Sequence, residues 1–205
     1  MSTEHEPITP YIWVTDFDEQ DVINFYNHFM HLEADPGVEK IVVYIHSYGG
    51  SVYGYLSMRD LIKRSTKEVV TVVIGKAMSA GAMLAVAGHT RYAAAQARYL
   101  IHQVSSGAEG TGTEIKVRAD EISELNKILL KNLAEDTGKT IAFWKKIYLD
   151  KNLDCNFSAE DALGMGVVDQ ITITMVLTSM STDIGIVKFE ADPEPKQRKK
   201  RTKKK

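Results

Sequence analysis

The chain has one cysteine, Cys155, among 205 residues, so no intramolecular disulfide can form and a core must hold the fold. No apolar run approaches the roughly 20 residues that a membrane-spanning helix needs. Residues 1–15 carry acids and prolines where a secretion signal would place a basic stretch and then an apolar one. There is no Gly-x-x-x-x-Gly-Lys phosphate loop and no His/Cys/Asp/Glu set at zinc spacing, so no metal or nucleotide cofactor is expected. The expectation is a soluble cytoplasmic protein without a membrane partner. Hydrophobic residues at 44 % and charged residues at 25 % exclude the fibrous and wholly disordered classes, and the length suits one domain with its own core.

The basic residues are unevenly placed. Residues 196–205 hold eight of the 25 Lys+Arg and no acid, which leaves 17 basic against 27 acidic residues in 1–195. The net charge of −2 is therefore a body of −10 and a tail of +8. A block of one sign without apolar residues cannot offset its ordering entropy by burial, so 191–205 is expected to be a disordered basic tail. It is either a solvated end or an arm for nucleic acid or another acidic partner. The acidic body lacks the charge of a nucleic-acid binder.

Periodicity gives an α/β order. Strands are expected over 11–14, 41–45 and 69–75, the last two nearly continuous β-branched runs of the kind buried in parallel sheets. Between them, Val22, Phe25, Tyr26, Phe29 and Met30 share a helical spacing, and a second helix is expected over 52–64. A short helix over 79–87, with Ser79 as its N-cap, precedes strands over 91–95 and 98–103. A glycine-rich stretch over 105–112 leads into the clearest amphipathic helix, striped by Ile115, Ile122, Leu125, Leu129 and Leu133. A helix over 141–149, a loop around Asp154, a cap at Ser158 and a strand over 167–171 complete the pattern. Alternation of strand and helix implies a mainly parallel sheet with right-handed crossovers, with sites where strands end.

Two strand-end turns stand out. His46-Ser47-Tyr48-Gly49-Gly50 brings paired glycines to the end of a buried strand, where backbone N–H groups can face developing negative charge; a plain tight turn looks the same. Ala77-Met78-Ser79-Ala80-Gly81 sets a serine between a strand and a helix N-terminus, although an ordinary cap has that placement too. The Gly-x-Ser-x-Gly elbow of α/β-hydrolases is absent, because Ala77 stands at its first glycine. His102 and His46 end strands and are the histidines to weigh as a base. Asp150, Asp154, Asp161 and Asp169 are the acids, and spacing alone selects none of them.

In order along the chain, Tyr44-Ile45-His46-Ser47-Tyr48-Gly49-Gly50, Ala77-Met78-Ser79-Ala80-Gly81-Ala82, Arg98-Tyr99-Leu100-Ile101-His102-Gln103 and Asp154-Cys155-Asn156-Phe157-Ser158-Ala159 resemble the motifs of the ClpP family, the proteolytic subunits of the Clp protease. The resemblance implies a ClpP/crotonase-like fold over 11–171, preceded by a polar segment (1–10) and followed by an extension (172–190) and the tail. By position, it makes Ser79 the nucleophile, His102 the base and Asp154 the orienting acid, with the Gly49 and Ala80 N–H groups as the oxyanion hole. It further implies a homo-oligomer of stacked rings acting on peptides or unfolded protein, with 107–112 and the long helix as the handle joining the rings. Two departures are Tyr48 and Val104, where the family has prolines. The pore-lining N-terminal segment of the family is mostly missing, so an ATP-dependent unfoldase partner is not implied with the rest. A crotonase-type acyl-CoA enzyme and a non-enzymatic ring or scaffold protein are the alternatives.

Overall fold

A computed structural model describes residues 10–107, 109–148 and 154–172. The basic tail, the extension beyond Thr172, Asp150 and most of the polar N-terminal segment lie outside these residues.

Among the described residues, seven strands form one sheet. Strands β1 (Tyr11–Val14), β2 (Lys40–Ser47), β3 (Glu68–Met78), β4 (Thr90–Ala94) and β7 (Gln170–Thr172) lie side by side in parallel, as the two β-branched runs required. Strand β3 is the spine. Its first half, Val70 to Val73, pairs with β4, and its last three residues, Lys76 to Met78, pair with β5 (Arg98–Ile101). This fork sets the tip of β3 beside the ends of both β2 and β5, through the pairs Ser47↔Ala77 and Met78↔Leu100.

Capping residues start the helices where polar residues precede apolar ones. Asp18 accepts from the Asp21 N–H at the head of α1 (Glu19–Ala34), and Ser51 accepts from the Gly54 N–H at the head of α2 (Val52–Arg64). After the short α3 (Ala80–Ala85) comes the long α4 (Gly112–Thr137), opened by a reciprocal box between Thr111 and Glu114 and closed by Gly138 at φ 67°. Beyond α5 (Ile141–Tyr148), Ser158 and Asp161 form the expected box at the head of α6 (Ala159–Gly164).

Three expectations need revision. Residues 155–158 form a strand, β6 (Cys155–Ser158), antiparallel to β5. The segment read as loop because it is short and half polar, and only the partner strand makes it extended. Val167 and Val168 lie ahead of β7, with their N–H groups turned back to the Ala162 carbonyl at the end of α6. In α1 only Phe25 and Phe29 are buried, while Tyr26 and Met30 face outward, and Ile115 near the start of α4 is exposed as well.

Arg91 on β4 bolts β7 and the end of α4 to the sheet. Its guanidinium pairs with both Asp169 carboxylate oxygens and donates to the Asp136 and Gly166 carbonyls. Burial pushes the Asp169 carboxyl up, but Arg91 outweighs it and holds that group below the usual carboxylate range. A depressed folded value means that the contribution is present above about pH 4 and is lost as pH falls. Arg91→Ala is expected to cost about 2 kcal/mol, most of it from the Asp136 and Gly166 carbonyls, since the exposed Asp169 keeps its bond from the N–H of residue 91. Melting temperature measured from pH 7 down to 3 checks this, because the variant should be less stable at neutral pH and less sensitive to acid.

Candidate active site

Ser79 follows the last residue of β3 and precedes α3, with φ 52° and ψ −122°. It is the one non-glycine residue with positive φ among the described residues. Such a conformation costs about 1–3 kcal/mol and persists only where the surroundings fix it. Here the Ser79 N–H donates to the Leu100 carbonyl of β5 at 2.8 Å, and the Ser79 carbonyl accepts from the Met83 N–H at 3.1 Å. The serine stands at the N-cap position, yet its hydroxyl makes no capping bond. The expectation of an ordinary cap is thus corrected.

His102 directly follows β5 and is half-buried. Ser79 and His102 line one small cavity of about 70 Å³, backed by Tyr55, Met83 and Leu129. Its walls are braced from outside: the Tyr55 hydroxyl accepts from the Asn132 amide at 3.1 Å, and the Val104 N–H donates to Asn126 of α4 at 2.9 Å. Asp154 immediately precedes β6. The last pair of the β5–β6 ladder is Ile101↔Cys155, so His102 and Asp154 each lie one residue beyond it. Among the described residues no hydrogen bond links the three side chains, and Asp154 does not line the cavity. Catalytic contacts are often long in unliganded enzymes.

The rival candidates have other work. Asp161 is held in the α6 box and Asp169 by Arg91. His46 is exposed, with Nδ1 2.7 Å from the Ile74 carbonyl, and His89 Nδ1 accepts from the Val69 N–H at 3.0 Å. Cys155 is half-buried on β6, packed against the core.

The glycine turn abuts the serine turn. A Cβ on Gly49, whose φ is +98°, would lie 2.7 Å from both the Met78 carbonyl oxygen and Ser79 Cβ, and 3.0 Å from the Ala80 nitrogen. The Gly49 and Ala80 backbones are therefore neighbours beside the serine. As the first residue of α3, Ala80 has an N–H without an intrahelical acceptor. The Gly49 N–H donates to the Ser47 hydroxyl at 2.9 Å, a contact that nothing in the sequence signals. Ser47 is fully buried, against Gly81 of α3. Tyr48 points outward, with Lys76 Nζ 3.0 Å from its ring centroid.

Among the described residues no group of three or more His, Cys, Asp or Glu side chains is placed to hold a metal ion, and no helix is long and apolar enough to cross a membrane. The family model described as Clp protease matches residues 12–175.

Proposed function

The chain belongs to the Clp protease family, with its mainly parallel α/β fold, and on that premise we propose that this ClpP-like peptidase is a serine endopeptidase acting through Ser79, His102 and Asp154. The observation that carries the reading is the strained, non-capping Ser79 sharing a cavity with His102. Ser79 Oγ attacks the scissile carbonyl as His102 takes its proton, and His102 returns that proton to the leaving amine. A water then attacks the acyl-enzyme, with His102 again as base and Ser79 as leaving group. Asp154, which like His102 lies one residue beyond the last β5–β6 pair, orients the imidazole in this reading. The oxyanion is met by the Ala80 N–H and by the Gly49 N–H, which leaves Ser47 Oγ to do so. In this reading the chains assemble into stacked rings that enclose the sites, as in the family.

Fluorophosphonate labelling and hydrolysis of short fluorogenic peptides, made on particles of measured native mass, test the proposal. Labelling at Ser79 together with turnover is expected, from a particle many times the 22.9 kDa chain. An unlabelled monomer without turnover contradicts it.

The +8 tail adds an arm for nucleic acid, supported by its lack of any acid beside an acidic body. Binding to a DNA duplex should weaken steeply between about 50 and 200 mM salt and vanish when residues 196–205 are deleted. Unchanged binding by the truncated chain refutes the arm.

A further inference from the structure

Beside the cavity that holds Ser79 and His102 lies a larger one. A groove of about 750 Å³ runs between α2 and the first half of α4, and it shares Val52 and Val104 with the cavity that holds Ser79 and His102. Its floor is apolar, with Ile122 and Leu125 beside those two valines, and its walls carry Glu109, Glu114 and Glu121 against, among the described residues, the one cation Arg118. Two of the carboxylates are held in place. Thr111 binds Glu114 from its N–H and its hydroxyl and holds that carboxyl below the usual range, so it stays ionised. The Tyr53 hydroxyl donates to Glu121 Oε1 at 2.6 Å, which leaves the second oxygen of that carboxylate for another donor.

We propose that this groove gives the enzyme a preference for extended peptides bearing lysine or arginine, a specificity that rests on the peptidase reading above. The catalytic cavity, at about 70 Å³, has no room for a long cationic side chain. The basic residues therefore sit at neighbouring positions, along the groove. There an aliphatic stem lies on the valine, isoleucine and leucine floor while its charged end reaches the glutamates, the division that long cationic side chains favour. An acidic peptide meets the same carboxylates as like charges.

The test uses fluorescein-labelled peptides of equal length, one carrying two lysines and the other two glutamates in the same alanine-leucine host. Their binding to Ser79→Ala protein is followed by anisotropy at low salt, and their hydrolysis by the unaltered enzyme is followed in parallel. The lysine peptide is expected to bind about fivefold more tightly or better, as befits two partly exposed charge pairs. Glu109→Gln with Glu121→Gln should collapse the ratio, and Arg118→Gln, at an exposed position, should widen it. Equal binding of the two peptides, or a ratio that survives the double glutamine variant, overturns the proposal. Preferential lysine binding without Ser79 labelling or hydrolysis overturns the peptidase reading and leaves the groove assignment standing. Hydrolysis without any charge preference does the reverse.

Discussion

Ser79→Ala is expected to lower peptide hydrolysis by about four to six orders of magnitude and to abolish fluorophosphonate labelling. The size of the loss follows from the role proposed for the hydroxyl: without it no acyl-enzyme forms, and only the oxyanion donors and substrate binding remain. Folding should be untouched, because alanine keeps the Cβ, and the N–H bond to the Leu100 carbonyl uses the backbone alone. Since the hydroxyl makes no capping bond, its removal costs the helix nothing. The glycine variant separates the two roles. Ser79→Gly is equally inactive but should be about 1 kcal/mol more stable, since glycine adopts φ 52° without strain. Rates and denaturant midpoints for the two variants check this. Retained turnover in either variant removes Ser79 as the nucleophile.

Gly49→Ala should have the second largest effect. The added methyl would stand 2.7 Å from the Met78 carbonyl and from Ser79 Cβ, both in a turn already under strain, at a φ of +98° that alanine avoids. Either the glycine turn withdraws or the serine turn does, and each movement misplaces an oxyanion donor. A loss of about 10²–10³ in kcat is expected, with KM little altered, because in the role proposed for them the N–H groups act on charge that develops in the transition state. Some global stability is lost as well, so the kcat effect is read at a temperature where circular dichroism shows the variant folded. A variant that folds and keeps its kcat shows that the Gly49 N–H takes no part, and Ser47 Oγ would then be its permanent acceptor.

Much of the scaffold was legible because it rests on local patterns. The β-branched runs became β2 and β3, and the polar start at Ser158 became a capping box. What stayed hidden depends on distant partners. Cys155 to Ser158 is extended only because β5 offers it a ladder, a partner that no local pattern announces. The strain at Ser79 left no trace in composition, since positive φ is ordinarily announced by glycine or asparagine and here a serine adopts it. Helical spacing grouped Tyr26 and Met30 with Phe25 and Phe29, but a helix on a sheet buries a narrower stripe than its apolar residues span. Ordered motifs carried the family resemblance further than any single residue could.

The bond from the Ser79 amide to the Leu100 carbonyl also bears on the order of synthesis. Chains leave the ribosome from the N-terminus, and Ser79 emerges well before β5, which supplies that carbonyl and leads into His102, and before Asp154 and β6. A partly made chain thus carries the serine without the contact that bends its backbone. On the roles proposed for these residues, competence would arrive only once β5 and Asp154 have been made.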